Sequence, residues 1–193
     1  MNIELESMAI EMPRVAGHPN REPFRGVLTL VDVVSDKPPA GARGHRVVLA
    51  RAAADAALAS LLGMGLDYAP SLDRHDARRK IGVITRAEIV GKQLELGGYL
   101  FAKDFPEIVR EIGRGGGNQL GPTGRETLGR TSLQAAGESH RAYAPLGMSY
   151  EIADARVADV RSRVWTLTHV TFTGAAVLRR DKAAYRNTWI ELG

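Results

Sequence analysis

The sequence predicts a mainly β, α+β fold in which helices lie at the periphery of a barrel, and three patterns predict it. Ile81, Val83, Thr85, Ala87 and Ile89 alternate along the chain, Gly91 and Lys92 supply a turn, and Leu94, Leu96, Gly98 and Leu100 alternate back. Period-2 alternation around a tight turn marks a β-hairpin. Apolar and β-branched residues are also concentrated at 25–34, 146–152 and 164–178, which read as strands. Helical periodicity is confined to short segments between them, as in a sheet or barrel with helices outside it.

The elements follow in order. Residues 1–24 carry Pro13, Pro19 and Pro23 with little periodicity and read as an irregular arm, leaving 25–193 as one domain. After the strand at 25–34, Pro38, Pro39 and Gly41 make a turn before a short strand at 46–49. Ala54, Leu58, Leu61 and Leu62 share one face of a helix over 50–62, which Gly63 and Gly65 stop. Residues 66–80 are polar and read as a loop leading into the hairpin. Asp104 starts a short helix, with Pro106 in its first turn and Glu107 at capping-box spacing. Residues 113–145 contain eight glycines and no sustained apolar face, so they read as a flexible loop. The chain closes with the two long strands, a helical turn at 181–185 and a strand at 188–192.

Composition narrows the chemistry. With 193 residues, 44% hydrophobic and 25% charged, the chain can bury a core as one globular domain. No apolar run approaches the roughly 20 residues of a spanning helix, and the acidic start MNIELESMAIEM lacks the basic and apolar regions of a secretory signal. The absence of cysteine excludes disulfides, thiolate catalysis and cysteine-ligated zinc. The 26 basic and 22 acidic residues give a mild excess. Arg74, Arg78, Arg79 and Lys80, and then Arg179, Arg180 and Lys182, form its densest runs, which read as solvated faces or a contact for an acidic partner. Aromatics are 6% of the chain and are not interleaved with Arg or Lys along one strand, which argues against a nucleic-acid partner.

Three residues stand out as chemistry-bearing. His75 sits in Asp73-Arg74-His75-Asp76, just before the hairpin. Ser149 shares one face of its strand with Gly147 and Glu151, and Gly147 leaves space beside the hydroxyl. His169 lies inside a strand, where at least half burial is expected and its ring nitrogens need partners. No His-Glu-x-x-His spacing occurs, so neither a metal nor another cofactor is expected. On these residues alone, a loop histidine, an ordinary strand serine and a satisfied core histidine remain open readings.

The order of the three, and the stretches LDRHDARRKIGVITRAEIVGKQLELGGYLFAKDFP, LGMSYEI and WTLTHVTFTGAAVLRRDKAAY around them, resemble the prohead proteases of tailed phages. That family is similar in fold to the herpesvirus assemblins, and the resemblance spans residues 25 to 185. It implies an assemblin-like closed β-barrel of about seven strands and a serine endopeptidase. Ser149 would be the nucleophile, His75 the general base and His169 the third member of a Ser-His-His triad. Arg179 and Arg180 would lie in the oxyanion region. The glycine that often follows the family's serine is absent, since Tyr150 and Glu151 stand there. The resemblance further implies that scaffold protein, major capsid protein and the enzyme's own termini are substrates. Work would take place inside the assembling procapsid in the host cytoplasm, with self-association and no membrane partner. One rival reading is an inactive member that binds scaffold or capsid protein, and a weaker rival is a small basic β-barrel that binds nucleic acid. A histidine with a pKa near 6.5 suits the base, and a neutral His169 would accept its second N–H.

Overall fold

The computed structural model describes residues 17–115 and 145–193. They form β1 (Glu22–Leu30), β2 (Arg46–Leu49), α1 (Arg51–Ala57), β3 (Gly65–Tyr68), β4 (Lys80–Val90), β5 (Gln93–Leu100), α2 (Pro106–Gly115), β6 (Leu146–Val157), β7 (Val164–Arg179) and β8 (Trp189–Leu192). The eight strands make one sheet of order β2-β7-β3-β4-β5-β1-β8, with β6 added on β7.

β7 makes this arrangement possible. Over its 16 residues it has room for two parallel partners on one edge, β2 beside its first part (Leu49 opposite Leu167) and β3 beside its last (Leu66 opposite Ala175). Its other edge is left for β6, which runs antiparallel with Leu146 opposite Arg179. The sheet curls into a half-barrel, mainly β as expected. Its free ends, β6 and β8, are not joined by a backbone ladder among the described residues. There the Met148 N–H donates instead to Thr188 Oγ1 at 3.2 Å, so a side chain bridges the seam where a closed barrel would have strand pairing.

Alternation puts Leu28, Leu66, Ile84, Leu94, Met148 and Phe172 inside the curl, each at most 1% exposed. Burial of such a side chain stabilises the fold by roughly 1.5–3 kcal/mol. Ala53, Ala54 and Ala57 give α1 a small apolar face that lies close against β7. Ile108 and Ile112, one turn apart, bury one face of α2. No helix among the described residues is long and apolar enough to cross a membrane.

Most expected elements form, with instructive shifts. The expected loop at 66–80 begins as a strand, because Leu66 and Tyr68 face the core while Asp67 faces the other way. This eighth strand is too short to give a periodic signal. The helix over 50–62 is α-helical only to Ala57, then tightens to a 3₁₀ turn over Leu58–Leu61 and ends before Gly63 at φ +79°. β1 starts at Glu22, within the expected arm, and α2 continues to Gly115, within the expected glycine-rich loop. The rest of that loop, 116–144, and residues 1–16 of the arm lie outside the described residues.

Two tyrosines differ in how the core receives their hydroxyls. Tyr185 can donate to the carbonyls of Val33 (3.2 Å) and Val47 (3.3 Å), and burial pushes its pKa up to about 12. Tyr150 packs edge-on to Phe172, but its buried hydroxyl has no partner, and burial raises its pKa further. Tyr150→Phe should therefore raise stability by about 1 kcal/mol, and Tyr185→Phe should lower it by about the same amount, in urea unfolding.

Candidate active site

Strand register assembles the site. Ser149 on β6 lies opposite Ala176 on β7, and Ala176 lies opposite Asp67 on β3. Residues opposite one another project from the same face of a sheet, so Ser149 and Asp67 share the outer face, about 10 Å apart across two strand spacings. Glu151, two residues beyond Ser149 and opposite Gly174, projects there too. Lys80 completes the row, directly opposite Asp67 in the β3–β4 ladder.

Gly174 and Gly65 form the floor. A Cβ on Gly174 would stand 2.7 Å from Glu151 Oε2, and one on Gly65 would stand 2.5 Å from Lys80 Cδ. An added Cβ at either position would have to displace the Glu151 or Lys80 side chain, both of which lie over the two glycines.

The loop between β3 and β4 folds over this trough and supplies the histidine. The Arg179 N–H donates to the Leu72 carbonyl at 2.7 Å, and the Asp76 N–H donates to Asp67 Oδ1 at 3.0 Å. Leu72 is held in the left-handed region at φ +53°, which costs roughly 1–2 kcal/mol for a residue with a side chain. At the loop's far end, Tyr68 donates to Glu107 Oε1 at 2.8 Å, and the Arg79 guanidinium lies 5.1 Å over the Tyr68 ring. His75 is thereby placed with Nδ1 3.2 Å from Glu151 Oε1 and 3.9 Å from Asp67 Oδ2. Both are ion-pair distances. Nδ1 is buried and not aligned for a hydrogen bond to either oxygen, so a rotation of the ring is needed to make one.

The electrostatics centre on Asp67, whose side chain has no solvent exposure. A buried carboxylate is tolerable only when paired and hydrogen-bonded. Lys80 Nζ meets this need at 3.3 Å from Asp67 Oδ2, and reaches Glu151 Oε2 at 3.8 Å. Asp67, His75 and Glu151 also bring three donor atoms within 4.8 Å of one another, a set able to hold a divalent ion that no sequence motif announced. The Lys80 ammonium already supplies positive charge beside both carboxylates. Next to Ser149, Leu28, Pro39, Met148, Tyr150 and Tyr185 border a cavity of about 20 Å³, room for one water.

Of the expected triad, the fold brings Ser149 and His75 to the same face and leaves His169 elsewhere. His169 lies opposite Arg156, is exposed where at least half burial was expected, and precedes Ala176 by seven residues. That separation is about 20 Å along β7. The Ser-His-His arrangement is therefore not assembled, because the β6–β7 register sets Ser149 against the far end of β7. The side chains beside His75 are instead the carboxylates of Asp67 and Glu151. Arg179 and Arg180 both have their backbone amides engaged, by Leu72 and Pro145, and Arg179 Nε meets Asp181 Oδ1 at 3.3 Å. Arg180 adjoins Gly147 on the Ser149 face, and its buried Nε has no partner. Sequence reasoning missed Asp67, Lys80 and Glu151 as site residues. The available signal for Glu151 was its place two residues after Ser149.

No protein-family model matches this chain, and neither a curated protein nor a solved structure matches it.

Three outcomes follow from the charges. Lys80→Met leaves Asp67 buried without its cation and should cost about 2 kcal/mol in urea unfolding. Arg86→Gln, which breaks only the exposed Arg86–Glu88 pair of the same strand, should cost about 0.5 kcal/mol or less. Glu107's own backbone N–H, and then the Tyr68 hydroxyl, hold its carboxyl below the usual 4.5. The stability it contributes is thus full above that value and is lost as pH falls through the lower folded value. Stability of Glu107→Gln should fall less steeply than wild type over the same acid range, read by urea titrations at each pH.

Proposed function

We propose that this protein is a serine endopeptidase in which Ser149 is the nucleophile, His75 the general base, and Asp67 with Glu151 the acceptors that orient the base. One observation carries the reading. The Ser149–Ala176–Asp67 register puts a strand hydroxyl on the face where His75 is held between two carboxylates.

In this reading His75 takes the Ser149 proton as Oγ attacks the scissile carbonyl, then passes it to the leaving amine. Water releases the acyl group by the same steps in reverse order. A turn of the imidazole sets its Nδ1–H on Glu151 or Asp67, and the carboxylates stabilise the imidazolium as it forms. Lys80 keeps the two acids from repelling each other while His75 is neutral. Arg180, whose Nε has no hydrogen-bond partner, would supply a donor for charge developing on the substrate oxygen. The resemblance to prohead proteases supports scaffold protein, major capsid protein and the chain's own termini as substrates, cleaved inside the assembling procapsid. An assemblin-like barrel would follow if the seam between β6 and β8 closes by strand pairing.

A second reading is an inactive scaffold- or capsid-binding member. It is favoured by the out-of-line Nδ1 and by Lys80, which together make the cluster a sufficient ion-pair clasp without catalysis.

Co-expression with capsid and scaffold proteins, followed by intact-mass measurement, separates the two. Ser149→Ala and His75→Ala should each slow cleavage about a thousandfold or more, with the double variant little worse. His169→Ala should leave the rate within about twofold, as for a surface change. Wild-type chain that leaves both partners uncut, or folded Ser149→Ala that cuts them normally, would overturn the protease reading.

A further inference from the structure

At the opposite end of β7 from Ser149, the fold gathers positive charge that the proposed active site does not use. Arg43 comes from the loop before β2 and Arg46 from its first residue, Arg161 and Arg163 from the β6–β7 turn, and Arg156 from the end of β6. Register brings the two segments together, with Arg46 opposite Val164. All five side chains are exposed, and among the described residues none of their guanidinium groups has an ion-pair or hydrogen-bond partner. Residues 43–46 and 154–169 contain only Asp154 and Asp159 as acids, and Asp159 Oδ1 accepts the Arg161 N–H. Surface arginines in ordinary proteins commonly find carboxylates nearby; five left without one mark a surface built for an external anion.

The same surface holds a flat aromatic element. His45 and Trp165 stack with centroids 4.4 Å apart and planes within 12°. Trp165 Nε1 donates to the Val160 carbonyl at 3.2 Å, which fixes the ring's orientation. Val160 beside it is 67% exposed. An acidic peptide would use the arginines and leave the ring pair idle. A single-stranded nucleic acid uses both, with phosphates on the guanidinium groups and a base against the fixed rings.

We propose that this end of the molecule, formed by the β6–β7 turn and the start of β2, binds single-stranded nucleic acid without sequence preference. The site is independent of the proposed protease chemistry, which lies about 20 Å or more away along β7. The sequence did not display it, because the arginines and the ring pair come from segments more than a hundred residues apart.

The test uses the Ser149→Ala chain and a fluorescein-labelled oligothymidylate of about 20 nucleotides. Anisotropy titrations between roughly 50 and 200 mM salt should give a log–log slope near −3.5, the value for about five phosphate contacts on a single strand. Trp165 emission should be quenched on binding. Replacing Arg43, Arg46, Arg161 and Arg163 together by Gln should lower affinity about a hundredfold or more with an unchanged melting temperature, since these groups hold nothing among the described residues. Three results would overturn the proposal. They are no binding at the lowest salt, full affinity in the fourfold variant, and displacement by polyglutamate as effective as by unlabelled DNA with no Trp165 quenching. The last would assign the surface to an acidic protein. Binding by the Ser149→Ala chain stands or falls without reference to cleavage, so failure here leaves the protease reading untouched.

Discussion

A negative charge at Asp67, closed off from water, organises the outer face of the sheet. A lone carboxylate shut away from water in that position would be costly. Lys80 and the Asp76 amide satisfy it. Each brings something with it. Lys80 ties the first residue of β4 to Asp67, and the Asp76 amide ties the loop before β4 down onto β3. With the loop down, His75 stands beside both Asp67 and Glu151. The histidine's position is thus a consequence of how one buried charge is accommodated, and the two floor glycines are what allow the partners to reach it.

β7 sets the larger geometry. By carrying β2 and β3 in tandem on one edge and β6 on the other, it turns a single strand into the shared wall of two neighbourhoods. The carboxylate–histidine cluster belongs to its last part and the arginine surface to its first. Their separation follows from strand length alone. The same length explains why His169, which a linear reading of motif order places in the site, ends up on the other neighbourhood's side.

Much of this fold is legible in the chain because its strands alternate strongly. Ile81 through Leu100 announce their hairpin, and residues 146–152 and 164–178 mark the cores of β6 and β7. β3 is not legible: Leu66-Asp67-Tyr68 is one short alternation, and its strand character comes from two flanking ladders that exist only in the folded state. The site divides in the same way. Ser149 and His75 can be picked out from their local settings, and the face shared by Ser149 and Glu151 follows from period 2. The role of Asp67 depends on a parallel pairing with Ala176, a contact more than a hundred residues away in sequence. Motif order suggested His169, but order along a chain does not encode register, and seven residues of offset are enough to remove a side chain from reach. The β6–β7 arginines escaped for the related reason that a patch assembled from two strand ends has no signature in either one.

The seam beside Met148 gives the half-barrel an unequal stiffness. Everywhere else along the sheet path, adjacent strands are tied by a ladder in which one bond cannot lengthen without its neighbours. Between β6 and β8, the Thr188 hydroxyl stands in for such a ladder, and a single rotatable side chain resists displacement far less than a row of backbone bonds. The curl therefore has one compliant line, and Ser149 is the next residue along the chain from it. Outward movement of β6 at this line would widen the small cavity bordered by Leu28 and Tyr185, while Asp67 and Lys80 stay anchored on the ladder of β3 and β4. The molecule thus joins an anchored Asp67–Lys80 pair to a yielding wall, and both Glu151 and the proposed nucleophile stand on the wall.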